Sequence, residues 1–373
     1  MVTHRFAFPT AIHFGPGARK LVADNLKAAG CLRPLIVTDK GIADLPLLGE
    51  FLSHLSGIHP KTFSGVQGNP VASQVTAGAE AYRHHGADSV IGFGGGAALD
   101  VAKVVGLAAT HPGEVLEYAW DHPQVRPIDR ELPHFVALPT TAGTGSEVGR
   151  SSVISEDASH VKRIVFSPRL LARAVFADPE LTLALPKPVT AATGMDALTH
   201  NIESYLSPAY HPLCDGIALE GVRIISKALT KAFKDGTDLD ARSDMLMGSM
   251  MGAIAFQKDL GAVHSCAHAL STVCDLHHGL ANGVMIDHVM RFNRPAAEAK
   301  MAELARVAGV ADLVSWLTAL KSELGIPANL SNLKVRKEHL PRLVEVALAD
   351  LCHKTNPRPC TRADFERLFQ ESL

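Results

Sequence analysis

Two pairs of residues spaced four apart constrain this chain more than anything else in it. Asp196 and His200 stand in TGMDALTH (193–200), and His264 and His268 stand in GAVHSCAHALSTVCDLHHGLANG (261–283), where His277 and His278 follow. On a helix, positions i and i+4 lie on one face, one above the other. Each pair can therefore project two donor groups into the same space, provided both segments are helical. Asp196, His200, His264 and His278 would supply one carboxylate and three imidazoles. Such a set suits Fe(II) or Zn(II) and excludes neither Mn nor Co. A straight helix from 264 to 278 would hold those two histidines about 21 Å apart along its axis. The spacing therefore predicts a helix break between them, with Asp275, His277, Gly279 and Asn282 as the breaking residues. His268, one turn along from His264, is then near the ion but free for another task, and His277 reads as an ordinary polar residue.

Around this cluster the chain changes texture. Up to Asp178 it alternates strand and helix signals. FAFPTAIHFG (6–15) predicts an opening strand or hairpin, and PLIVTD (34–39), 58–63, DSVIGF (88–93) and HFVALPTT (134–141) predict further strands. Helices are expected near 44–54, 70–85 and 98–110, and SSVIS, KRIVF and RAVFAD supply short strands. Buried strands alternating with helices predict an α/β sheet covered on both faces. Two prolines in LTLALPKPVT (181–190) punctuate a boundary. Beyond it we expect helices only, at 189–206, 212–234, 239–257, 261–275, 281–292, 296–308, 311–324, 337–351 and 361–371. The division is therefore 1–185, an α/β domain, and 186–373, an all-helical domain. A length of 373 residues accommodates two such cores.

Composition narrows the function classes. The formal net charge is −2 with acids and bases interspersed, which gives no electrostatic case for nucleic acid or an anionic membrane surface. Charged residues interrupt every apolar run before a membrane-spanning length, and MVTHRFAFPTAIHFG lacks the apolar core of a signal peptide. The six cysteines form no CxxC pair and read as reduced thiols, so a cytoplasmic protein is expected.

Two loops in the first half have the chemistry of phosphate binding. Gly94-Gly95-Gly96-Ala97 follows a strand and opens a helix, where backbone N–H groups and the helix dipole favour an anion. It is neither GxGxxG nor the Walker sequence. Thr140-Thr141-Ala142-Gly143-Thr144-Gly145-Ser146 also follows a strand and is dense in hydroxyls. Loops at strand C-terminal ends are where open α/β sheets bind nucleotides. Asp39 ends an earlier strand and is read either as an acceptor for the adenosine ribose or as a helix N-cap.

Together these segments resemble the iron-containing (group III) alcohol dehydrogenase family, over nearly the whole chain. The resemblance rests on GGGAALDVAK (94–103), LPTTAGTGSEV (138–148), DPELTLALP (178–186), GMDALTHNIESY (194–205), GAVHSCAHALS (261–271), HHGLANG (277–283) and TNPRPCT (355–361). It implies a dehydroquinate-synthase-like architecture: an α/β dinucleotide-binding domain plus an all-α metal-binding domain, with the site in the cleft between them. It implies metal ligation by Asp196, His200, His264 and His278, and it matches His268 to a histidine beside the nicotinamide. It assigns the pyrophosphate loop to Gly95, Gly96 and Ala97, and further cofactor contacts to Thr140, Thr141, Thr144 and Asn69. Lys162 matches a lysine near the ribose, and Asp39 the acidic residue linked to NAD preference. Three positions depart from the pattern. Ala97 stands where Ser is usual, Gly149 where Thr is common, so that its backbone would have to serve the cofactor, and Ala269 where Pro often follows.

The function expected on this reading is metal-dependent hydride transfer between NAD(H), in preference to NADP(H), and a small primary alcohol or aldehyde. Iron is the expected metal, with zinc the alternative, in a homodimer or larger homo-oligomer. Arg150 and Lys258 would favour an acidic substrate such as succinic semialdehyde if they placed positive charge near the site. Rival readings are a maleylacetate reductase or glycerol-dehydrogenase-like relative, a metal-dependent hydrolase, and a non-catalytic metal-binding protein. The Asp-His-His-His set speaks against the first rival, and the two nucleotide-type loops against the second.

Overall fold

A computed structural model describes Phe6, Phe8 and Thr10–Leu373. It divides into two compact units: Ala7–Thr141 with Gly145–Thr182, and Leu183–Leu373 with Ala142–Thr144. The short run Ala142–Thr144 thus groups with the helical unit, although it lies far upstream of the expected border.

The first unit runs β1 (Ala11–Phe14), α1 (Val22–Ala28), β2 (Pro34–Asp39), α2 (Lys40–Ala43), α3 (Pro46–Ser53), β3 (Lys61–Val66), α4 (Ala72–His85), β4 (Ser89–Gly94), α5 (Gly96–Thr110), β5 (His134–Pro139), β6 (Ser151–Ser155), β7 (Lys162–Phe166) and β8 (Ala174–Ala177). Six strands form one sheet in the order β1-β8-β5-β4-β2-β3, and every pair in it is parallel. Strands β2 and β4 are buried almost throughout because helices cover both faces. Ile36, Ile91, Phe93, Val136 and Phe176 pack in one core with Leu26 and Phe51, and the rings of Phe51 and Phe93 stack at 4.9 Å. The connection from β2 leads away to β3, whereas that from β4 leads the other way to β5. Adjacent parallel strands whose connections diverge leave a crevice at their carboxyl ends.

Two expected strand bounds differ from those observed. The opening strand is confined to β1, and Ala7 and Pro9 lie outside the described residues. The strand expected at 58–63 begins at Lys61, because Ile58 N–H closes a turn onto the Leu55 carbonyl at 3.1 Å and Pro60 follows. Strands β6 and β7 pair antiparallel with each other in a separate two-stranded ladder.

The second unit holds α6 (Lys187–Leu206), α7 (Pro212–Lys234), α8 (Leu239–Ala255), α9 (Ala262–Cys274), α10 (His278–Ala308), α11 (Leu313–Glu323), α12 (Leu340–Ala349) and α13 (Arg362–Glu371). Among the described residues it contains no strand. Helix α6 is buried almost all round, as a helix at the centre of a bundle must be. The break expected before His278 is present. Asp275 adopts the left-handed conformation (φ 51°) that ends α9, and α10 starts at His278. The two helices expected at 281–292 and 296–308 are both present and meet at a kink within α10. Pro295 removes a backbone donor there, and Ala297 leaves helical geometry (φ −137°). No helix among the described residues is long and apolar enough to cross a membrane.

Candidate functional site

Three helices of the second unit bring four side chains to one buried point. Asp196 and His200 come from α6, His264 from α9 and His278 from the first turn of α10. The Nε2 atoms of His278, His264 and His200 stand 3.5, 3.7 and 3.9 Å from Oδ1 of Asp196. For metal bonds of about 2.1 Å, the edges of a tetrahedral site measure about 3.4 Å. The three separations from Asp196 Oδ1 are thus near that length, the ligand atoms of Asp196, His200 and His264 all lie within 4.8 Å of one another, and His278 joins them through Oδ1. One carboxylate with three imidazoles is the donor chemistry such an ion takes. The side chains of Asp196 and His264 are 2 % and 1 % exposed, whereas that of His278 is 23 % exposed.

Gly279 explains how α10 comes close enough. A Cβ at Gly279 would overlap the Ala192 carbonyl group of α6 and lie 3.3 Å from Asp196 Cβ. Only a residue without a side chain lets His278 reach Asp196.

Two neighbours that the sequence did not single out orient the set. Glu203, buried on α6, holds His264 Nδ1 at 2.6 Å and accepts the Val263 N–H at 2.7 Å. With a proton held on Nδ1, His264 directs Nε2 toward Asp196, so that loss of the Nε2 proton exposes its lone pair to an ion, an arrangement typical of ligating histidines. Asn282 donates from Nδ2 to Asp196 Oδ1 at 2.7 Å and lies 3.2 Å from His278 Nε2. Glu203 follows Asp196 and His200 at helical spacing (positions 196, 200, 203), and Asn282 follows His278 by four. That periodicity was the available signal.

The charges fit metal binding. Burial opposes ionisation of Asp196, but His200, His278 and His264 hold it well below the usual carboxylate range. Burial pushes His200 down to about 4, with Asp196 offsetting only part of the effect. Burial would also lower His264, but Asp196 and Glu203 on either side raise it to about 9. A cation entering the site therefore finds an anionic carboxylate and a neutral His200, and displaces a proton at His264.

His268, one turn along α9, is not part of this set. Its Nδ1 lies 2.8 Å from Oδ2 of Asp350, and its ring stacks on that of His278 at 5.1 Å. Asp350 has no local sequence signal, because 82 residues separate it from His268.

In the first unit, Asp39, Gly41, Gln67, Gly68, Gly95 and Ala97 line a pocket of about 300 Å³. It sits at the carboxyl ends of β2, β3 and β4, where the divergence of β2 and β4 requires a crevice. Asp39 caps α2 through Oδ1, which accepts the Ile42 N–H at 2.9 Å. The capping role is real, and the same carboxylate also faces the pocket. Gly95 is the N-cap of α5 and Gly96 its first residue. The Thr140 N–H bonds the Gly94 carbonyl at 3.0 Å, and a Cβ at Gly95 would come within 3.2 Å of Thr141 Cγ2. The glycine loop and Thr140-Thr141 are thus held together. Lys103 and Asp100 of α5 anchor the rest of the second loop: Lys103 Nζ donates to Ser146 Oγ and to the Ser151 carbonyl, both at 2.7 Å, and Ser146 Oγ donates to Asp100 Oδ1 at 2.6 Å. Asn69 follows in sequence Gly68, which lines the pocket. Lys162 pairs in register with Ser155, whose N–H bonds the Pro70 carbonyl at 2.8 Å, so it lies at the same corner as Asn69. Thr144 belongs to the run that groups with the helical unit. Gly149 closes the turn after Ser146–Val148 with its N–H on the Ser146 carbonyl at 3.0 Å.

The idea of Lys258 as an open cation is corrected. Its side chain is buried and ion-paired with Asp215, 43 residues upstream, so its charge is already compensated. The Arg150 guanidinium lies over the Phe166 ring at 5.5 Å, in the first unit.

Residues 9–179 match the family model for iron-containing alcohol dehydrogenase, and residues 190–373 match that for the C-terminal part of the Fe-containing alcohol dehydrogenase family. The chain is 38% identical to 4-hydroxybutyrate dehydrogenase of Cupriavidus necator over 98% of each sequence. Its fold is similar to that of a 1,3-propanediol oxidoreductase, with a TM-score of 0.94, 34% identity and full coverage of both chains. It is also similar to sulfoacetaldehyde reductase from Bifidobacterium kashiwanohense, solved in complex with NAD+, with a TM-score of 0.90 and 27% identity, covering 100% of this chain and 99% of that one.

Proposed function

The chain belongs to the iron-containing alcohol dehydrogenase family, and from that premise we propose that it moves a hydride reversibly between NAD(H) and a small primary alcohol or its aldehyde. The observation that carries this reading is the convergence of three imidazole nitrogens on one carboxylate oxygen, buried, in a chain that also builds a nucleotide pocket. In oxidation, the substrate carbon loses a hydride to NAD+ and the hydroxyl loses its proton, giving aldehyde, NADH and H+. Reduction is the reverse.

Asp196, His200, His264 and His278 would hold a divalent ion, Fe(II) in preference to Zn(II), which when bound would supply Lewis acidity. NAD supplies the hydride chemistry. The remaining work belongs to the chain. Glu203 keeps the proton of His264 on Nδ1, and Asn282 fixes the Asp196 carboxylate. His268 handles the hydroxyl proton as a general acid–base group. Gly95, Gly96 and Ala97 receive the pyrophosphate with Thr140, Thr141, Thr144, Asn69 and the Gly149 backbone as further contacts. Lys162 lies toward the ribose, and Asp39 accepts from the ribose hydroxyls and disfavours a 2′-phosphate.

A second reading, reduction of an acidic semialdehyde, is favoured by the likeness to 4-hydroxybutyrate dehydrogenase. A panel of aldehydes with NADH and NADPH, run on anaerobically purified and metal-analysed protein, tests both. Turnover of butanal with NADH above NADPH supports the primary reading. A rate on succinic semialdehyde well above that on butanal moves the substrate to the second. Absence of NADH oxidation with every aldehyde removes both.

We further infer a cytoplasmic homodimer or larger homo-oligomer. Six cysteines without a disulfide support a reducing compartment, and β1, an edge strand among the described residues, with Phe14 40 % exposed, supports self-association.

A further inference from the structure

His268, Asp350 and Cys352 form a second cluster whose ligand-type atoms all lie within 4.8 Å of one another. Its hydrogen bonds argue against a second metal. Oδ1 of Asp350 already accepts from Ser265 Oγ at 2.7 Å and from the Cys352 N–H at 2.8 Å. Ser265 Oγ in turn accepts the His353 N–H at 2.9 Å. Burial and the neighbouring Asp350 push the Cys352 thiol well above its ordinary range, so it keeps its proton. What remains is one carboxylate oxygen, Oδ2, aimed at one imidazole nitrogen, Nδ1 of His268, at 2.8 Å.

We propose that Asp350 is a positioning residue that fixes the ring plane and tautomer of His268. A carboxylate accepts only, so the proton of His268 sits on Nδ1. Nε2, on the opposite edge of the ring, is then the lone-pair nitrogen. The two donors on Oδ1 prevent the carboxylate from turning, and stacking on His278 fixes the ring from its face. Ser265 lies on α9 between His264 and His268, so the helix that carries the histidine also clamps its carboxylate. What His268 does with its lone pair rests on the function proposed above. The tautomer and its dependence on Asp350 do not.

The test uses full-length, Zn(II)-loaded protein labelled with 15N-histidine, with His268→Gln to assign the resonance. Wild type is expected to show His268 protonated at Nδ1 and bare at Nε2. Asp350→Asn is expected to lose that state and Asp350→Glu to retain it. In NADH-linked reduction of butanal, Asp350→Asn is expected to lower kcat about a hundredfold, with KM and bound zinc unchanged and most of the rate restored in Asp350→Glu. Combined with His268→Gln, Asp350→Asn is expected to cost nothing further, because both act through one group. An Nε2–H tautomer in wild type, an unchanged kcat in Asp350→Asn, or additive losses in the double variant would overturn the proposal. If wild type shows no turnover, the function reading fails, and the spectra still decide whether Asp350 sets the tautomer. If Asp350→Asn does not fold, the wild-type and Asp350→Glu spectra decide it.

Discussion

Glu203 and Asp350 do similar work on neighbouring histidines of α9. Each is a carboxylate set against Nδ1, so each leaves Nε2 for chemistry. Their legibility differs for a physical reason. Glu203 shares the face of α6 with Asp196 and His200, and helical periodicity reports which residues share a face. Asp350 follows α12 and meets His268 only because α12 packs on α9, which no local pattern encodes. The pairing of Lys258 with Asp215 was hidden in the same way, so the idea of an open cation failed. Glu203→Gln keeps the shape and weakens the hold on Nδ1. Its affinity for Zn(II), measured by competition with a chelator, is expected to fall about 10- to 100-fold, with helical content by circular dichroism unchanged. Wild-type affinity in that variant would show that Glu203 does not tune the centre.

At the level of elements, the geometry depends on where α9 stops and α10 starts. His264 and His278 would stand about 21 Å apart on one straight helix, and Asp275 in the left-handed conformation provides the break that brings them together. The strands were legible because interior parallel strands are apolar on both faces, as in PLIVTD. The separate β6–β7 ladder was not, because pairing partners are set by tertiary contacts rather than composition. The break near Pro295 was legible, because a proline in a helical pattern removes a backbone donor, and two helices do meet at a kink there. Gly279 is the element-scale weak point. Gly279→Ala would force α10 away from α6, at a cost of about 1–3 kcal/mol for overpacking. A lowered Tm together with reduced metal content is the expected result. An unchanged Tm and full metal content would mean that the contact at Ala192 relaxes freely.

On the scale of the whole molecule, the proposed function assigns one part of the chemistry to each unit. The α/β unit presents the crevice at the ends of β2 and β4, and the helical unit presents the Asp-His-His-His centre. The matches to the iron-containing alcohol dehydrogenase family extend through both units. Self-association is a property of the assembled chain, and analytical ultracentrifugation at micromolar concentration is expected to give a dimer or larger. A strictly monomeric species would leave the β1 edge without the proposed partner. The central claim is that Asp196, His200, His264 and His278 hold the ion on which NAD-linked turnover depends. It is tested most directly by replacing His264 with Ala and measuring bound iron and NADH oxidation on an aldehyde side by side with wild type. The account predicts that His264→Ala loses both. Full metal content with an unchanged rate would contradict it.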